Sequence, residues 1–234
     1  MSYKELLVHV DRSRHCEARL TLAIKLAQRF HAHLTMLHVL PPTWVSPFLS
    51  DRVAAEVLEE ADAYAARERA ALEARFKEQA AGLETEWCCV HADAGEALSL
   101  NGRHADLTVL SQVDPIEAKE SLDYDVPERV ALGAGRPVLL LPYAAPIETI
   151  GERVLVAWNG SPQAARAVGD ALPFLAGAKA VEILAVNFER GSQAEVSSAE
   201  IARYLTHHGI NASTSSIEAE GVGIGERILA HAAD

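Results

Sequence analysis

The chain has 234 residues, 49% hydrophobic and 23% charged, the balance of an ordinary globular protein. Its net charge of -12, with Lys and Arg scattered among acids, argues against a nucleic-acid surface. No apolar run reaches the roughly 18 residues of a membrane span, and three cysteines, two of them adjacent at Cys88 and Cys89, do not make a disulfide framework.

The opening residues run straight into a strand-like segment and offer no signal peptide, so a reducing cytoplasm is the expected compartment. Residues 6–10 are apolar and partly β-branched, which suggests a buried strand. Asp11-Arg12-Ser13 turns the chain. Residues 16–30 show helical spacing, with Leu20, Ala23, Ile24, Ala27 and Phe30 on one face. A second strand over 33–39 ends at Pro41-Pro42. The loop 43–50 carries Trp44 and Phe48, which either close over a cleft or pack on the sheet edge. A long Ala- and Glu-rich helix over 53–79 should turn Val57, Ala61, Tyr64, Leu72 and Phe76 inward, with Gly82 where a helix cap is expected. Then come a strand at 85–90, a short helix at 94–103, a strand at 107–110, a helix near 127–132 and a strand at 138–141. Strands alternating with helices imply parallel βαβ units.

The pattern then begins again. Residues 5–13 (Glu-Leu-Leu-Val-His-Val-Asp-Arg-Ser) answer to residues 153–161 (Arg-Val-Leu-Val-Ala-Trp-Asn-Gly-Ser). Met36-Leu37-His38-Val39 answers to Ile183-Leu184-Ala185-Val186, and Gly95-Glu96-Ala97-Leu98 to Gly225-Glu226-Arg227-Ile228. The period is roughly 147 residues, a domain's length. Three parts are expected: a first domain over 1–143, a linker over 144–152 and a second domain over 153–234. The second copy has elements at 154–158, 162–175, 181–187, 197–208, 211–217 and 225–233. It lacks the counterpart of residues 107–142. Its first strand is therefore expected to show an open edge.

The start of each half resembles the universal stress protein family. The matching stretches are residues 7–13, 34–39, 105–110, 136–141, 154–161 and 181–186, in the family's order and spacing. The resemblance implies an α/β fold of two tandem doubly wound, Rossmann-like parallel-sheet domains of the adenine nucleotide alpha hydrolase type. Strand order would be 3-2-1-4-5, with the second domain truncated after its third strand and helix. Ligands in such sheets bind where the strand order reverses. Carried onto this chain, the binding positions are Val10, Asp11, His38 and Val39 in the first half. In the second half they are Trp158, Asn159, Gly160, Ser161, Ala185 and Val186.

ATP-binding members also carry Gly-x-x-Gly, nine residues, then Gly-Ser or Gly-Thr, so that backbone N–H groups approach the phosphates. Here Ser111 and Asp114 stand at the two glycine positions and Tyr124-Asp125 replaces the final pair. Two carboxylates would face a polyanion, and the tyrosine would fill the space a glycine leaves open. Nucleotide binding is therefore expected to be lost in the first domain and to require a completed second one.

The remaining candidates have plainer readings. His31 and His33 sit at a helix-to-strand turn without a carboxylate or Cys cluster, so a solvated turn is expected rather than a metal site. Cys88 and Cys89 point to opposite faces, so one buried and one half-exposed thiol is expected. His38 either packs or touches a ligand. His207-His208 suits a helix end. No nucleophile or second acid stands beside Asp11 as a general base. The expected function is a non-enzymatic, cytoplasmic stress-response or interaction protein with no cofactor, forming a homo-oligomer, a dimer. The alternative is an ATP-binding or slow nucleotide-hydrolysing enzyme of the same fold, with ATP or another adenine nucleotide as ligand.

Overall fold

The computed structural model describes every residue except 1, 42, 44, 47, 117–123, 145–148, 188–192, 220 and 234, and leaves aside the side chains of 193–196. Trp44 thus lies outside the described residues. The chain divides into two compact units, Ser2–Ile147 and Glu148–Asp234.

The first unit runs β1 (Glu5–Val10), α1 (Cys16–Phe30), β2 (His33–Leu40), α2 (Asp51–Gln79), β3 (Thr85–His91), α3 (Ala94–Gly102), β4 (Leu107–Ser111), α4 (Val126–Gly133) and β5 (Val138–Leu141). Its five strands are all parallel, in the order β3-β2-β1-β4-β5. β1 is central and apolar on both faces, as a strand covered on both sides must be. One of its faces joins Leu7, Leu37 and Val39 to Leu98 of α3 and Val130 of α4 in a single core cluster. Its other residues, Leu6, Val8 and Val10, are buried as well. On α1 the apolar stripe Leu20, Ala23, Ile24, Ala27 and Phe30 is buried as its spacing predicts. That helix ends on His31, held at φ 51, whose N–H returns to the carbonyls of Ala27 and Gln28. Asp93 starts α3 by accepting a hydrogen bond from the Glu96 N–H at 2.8 Å.

Three expectations about side-chain burial fail. Val57 and Tyr64 of α2 are 40% and 55% exposed, not inward. A 29-residue helix is roughly 43 Å long, whereas the eight residues of β2 span roughly 26 Å, so α2 outruns the sheet. Phe76, near its C-terminal end, is buried and stands 6.2 Å from the Trp87 ring, which in turn stacks on His38 at 5.9 Å. Cys88 and Cys89 are both half-buried rather than one in and one out, because β3 is an edge strand. Phe48 is 95% exposed, so it is neither buried over a cleft nor packed on the sheet edge.

The second unit runs β6 (Arg153–Ala157), α5 (Pro162–Leu175), β7 (Ala180–Val186), α6 (Gln193–His207), β8 (Ala212–Ile217) and α7 (Ile224–Ala233). Its sheet is parallel, in the order β6-β7-β8. The core joins Trp158, Val168, Leu172, Leu175, Val181, Ile183, Leu205 and Ile210. Among the described residues β6 pairs with β7 alone, so its other edge is open. On α7 no residue is buried.

These contrasts fix a stability prediction. Phe76→Ala should cost about 3–5 kcal/mol in urea unfolding, while Val57→Ser on the overhanging turns of the same helix should stay within about 0.5 kcal/mol.

Candidate functional site

In the first unit the chain leaves β1 toward α1 and enters its neighbour β4 from α3, so the strand order reverses between them. The carboxyl ends of these two strands open the crevice where such sheets take ligands. Val10 closes β1; it is fully buried, and its carbonyl accepts a hydrogen bond from His38 Nδ1 at 2.9 Å. The two residues are register partners on adjacent strands, and Val39 beside them is buried. His38 therefore has a structural partner on each side: the Val10 carbonyl and the Trp87 ring.

Asp11 makes the turn. Its Oδ1 accepts from the Ser13 N–H at 3.0 Å and the Ser13 hydroxyl at 2.7 Å, which bends the chain into α1. One turn into that helix lies Arg19, 2% exposed. Its Nε donates to the His9 carbonyl at 2.8 Å and its Nη1 to the Ser111 hydroxyl at 2.9 Å. Nη2 stands 2.8 Å from Asp11 Oδ1, an ion-pair contact whose angle falls short of a directed hydrogen bond. One guanidinium thus joins β1, the turn after it and the end of β4. Burial alone would raise the Asp11 carboxyl, but Arg19, His9 and the Ser13 hydrogen bond together hold it well below the usual carboxylate range. Burial pushes the His9 imidazole down to about 4, Arg19 and His38 add to this, and only Asp11 opposes it.

Asp114, at the second glycine position of the phosphate motif, is 4% exposed. It pairs with Arg14 and lies 3.0 Å from His15 Nε2, while its Oδ1 accepts the Ile116 N–H at 2.8 Å. The carboxylate expected to face a ligand thus faces the protein's own cations. Tyr124 is 65% exposed, so its ring does not fill the crevice as expected. Asp125 stands 3.7 Å from Arg129, which also pairs with Asp93. The stretch between them, 117–123, lies outside the described residues.

Arg14, His15 and Arg19 did not figure among the expected site residues. For Arg19 a signal was present: it falls on the α1 face with Cys16, Leu20 and Ala23, where a charged residue needs a buried partner. Arg14 and His15 gave no such signal, because their partner is 99 residues or more away in sequence.

The second unit repeats the turn. Asn159 Oδ1 accepts the Ser161 N–H at 3.1 Å, as Asp11 does with Ser13. Gly160 takes φ 72, which a side chain would resist. Ser161 caps α5 by accepting the Ala164 N–H at 3.2 Å. Asn159 and Gly160 are exposed. Trp158 is not: its ring enters the core and its Nε1 donates to the Ser197 hydroxyl at 3.1 Å. Ala185 is buried and Val186 half-buried on β7. Of the remaining candidates, His33 pairs with Glu5 at 3.1 Å, and no metal-holding cluster occurs among the described residues.

The sequence model of the universal stress protein family matches residues 2–142. No curated protein sequence matches the chain. A universal stress protein from Archaeoglobus fulgidus DSM 4304 superposes at a TM-score of 0.62 and 17% identity, over 92% of this chain and 77% of its own. A protein of unknown function from Pseudomonas aeruginosa PAO1 does so at 0.56 and 14%, over 99% and 78%. Both likenesses bear on the fold alone. A universal stress protein in complex with cAMP is 21% identical over 60% of this chain and 98% of its own, at a TM-score of 0.41.

Two measurements follow from the crevice. Arg19→Met should cost roughly 3 kcal/mol, since it strands Asp11 without its cation. An unfolded His takes a proton near 6.5, the folded His9 only near 4, so below 6.5 the unfolded chain binds more protons. Stability contributed by His9 should therefore fall by about 2 kcal/mol from pH ~7 to pH ~5, and His9→Asn should remove that part of the slope in urea titrations.

Proposed function

The chain belongs to the universal stress protein family, and we propose that it acts as a non-enzymatic stress-response protein whose first unit has given up nucleotide binding. The observation that carries this reading is Asp114, a buried carboxylate at the strand-order reversal, already paired with Arg14 and His15. A phosphate brought there would take those cations from the carboxylate or sit against it. Two like charges 4 Å apart cost about 4 kcal/mol near a protein surface. Arg19 adds to the case, since its Nε and Nη1 already donate to the His9 carbonyl and the Ser111 hydroxyl and its charge is paired with Asp11. Val10, Asp11, His38 and Val39 then serve the unit's own architecture.

The second unit is the ligand-bearing one in this reading. Its entry turn, Trp158, Asn159, Gly160 and Ser161 with Ala185 and Val186 beside it, leaves Asn159 and Gly160 exposed. An adenine nucleotide would further need a phosphate loop docked beside β6. The alternative, an ATP-binding or slow nucleotide-hydrolysing enzyme, needs an uncommitted base or nucleophile. In the first crevice His9, Asp11, His15 and Asp114 each already hold a partner. A cytoplasmic setting fits three free cysteines, and a dimer fits the exposed Leu140 on edge strand β5 together with the open edge of β6.

Calorimetric titration of the whole chain with Mg-ATP tests the assignment. Binding in the micromolar range that Asp11→Ala abolishes and Asn159→Ala leaves alone would sink it; no heat attributable to the first crevice is expected. Sedimentation should report twice the 25.2 kDa chain mass, and a monomer at all concentrations removes the dimer from the reading.

A further inference from the structure

Away from the crevice, a cavity of about 350 Å³ lies between α2 and the carboxyl ends of β2 and β3. That volume is at the lower end for a small-molecule site. Leu40 and His91, register partners on the two strands, line one side. Asp62, Ala65, Ala66 and Arg69 of α2 form the other. Residues 62 and 69 are seven apart, so they share one helix face about 10 Å from each other along the axis. Between them the helix presents only the methyl groups of Ala65 and Ala66, which is why the groove is open. Neither Asp62 nor Arg69 has an ion-pair partner among the described residues.

The groove is also held in shape. Arg12, in the turn after β1, lies over the Tyr64 ring at 5.1 Å and pairs with Glu68, while the Tyr64 hydroxyl donates to Glu68 at 2.8 Å. These contacts flank the cavity residues on the same helix and tie α2 to the end of the sheet.

We propose that this groove binds a small zwitterion, with its cationic end at Asp62, its carboxylate at Arg69 and an apolar middle over Ala65, Ala66 and Leu40. An ω-amino acid or a short peptide has this chemistry; a nucleotide, anionic at one end and without a cation at the other, does not. The site is separate from the strand-order reversal and stands or falls independently of what binds there. Both charges are exposed, so each should contribute only about fivefold in affinity.

The probe is 6-aminohexanoate, titrated into the full chain and followed by the backbone amide signals of Ala65, Ala66 and His91, with hexanoate and hexylamine as singly charged controls. Saturable shifts at these amides are expected, about fivefold weaker for each control and in Asp62→Asn and Arg69→Gln, and absent in Ala66→Trp, which fills the groove. All four residues changed or probed on α2 lie at or near the surface, so signals elsewhere should stay put and report an intact fold. Equal binding of the controls, indifference to both charge substitutions, or no saturable shift at these amides would overturn the proposal.

Discussion

The Arg19 guanidinium is the contact on which the strand-order reversal of the first unit rests. It is buried, so its charge is tolerable only because Asp11 lies beside it and because the His9 carbonyl and Ser111 hydroxyl accept hydrogen bonds from its N–H groups. Through it the end of β1, the turn and the end of β4 become one rigid piece. The lowered Asp11 and His9 titrations are consequences of that same arrangement. Around it a second charge group, Arg14, His15 and Asp114, covers the position where the family's motif has a glycine. A crevice that in this fold class opens to ligand is here lined with side chains already in contact with one another.

The two units share their entry turn and differ in what surrounds it. Asp11 with Ser13 and Asn159 with Ser161 make the same side-chain-to-backbone hydrogen bond at the same place after the first strand. In the first unit the turn is backed by a buried cation and a fourth strand. In the second it is backed by the Trp158 ring, tied through its Nε1 to Ser197, and β6 keeps one edge unpaired among the described residues. Replacing aspartate by asparagine fits this difference, because nothing corresponding to Arg19 is needed to neutralise an amide.

Much of the fold was legible because periodicity reports burial. Short apolar runs gave the strands to within a residue or two, and the 3.6-residue stripe of α1 named its buried face. The same rule misled on α2, where Val57 and Tyr64 keep a helical apolar spacing but stay 40% and 55% exposed. Cys88 and Cys89 show a related effect: alternation tells which face a residue takes, while the strand's place at the sheet edge tells how well that face is covered. In the crevice, Asp11, His38 and Ser111 could be placed from sequence, whereas the destination of the Asp114 carboxylate could not.

By itself the sequence determined the order of elements, the duplication and the loss of glycine from the phosphate motif, because these depend on local spacing and on which side chains are present. Only the tertiary structure decided where the charges go. Arg14 meets Asp114, and Arg19 meets Ser111, across about 100 residues of chain, and a pairing over that distance leaves no periodic trace. Sequence counted Asp114 as an exposed repulsion; folding made it a buried partner, since a carboxylate taken out of water must find cations and N–H groups wherever the strands bring them.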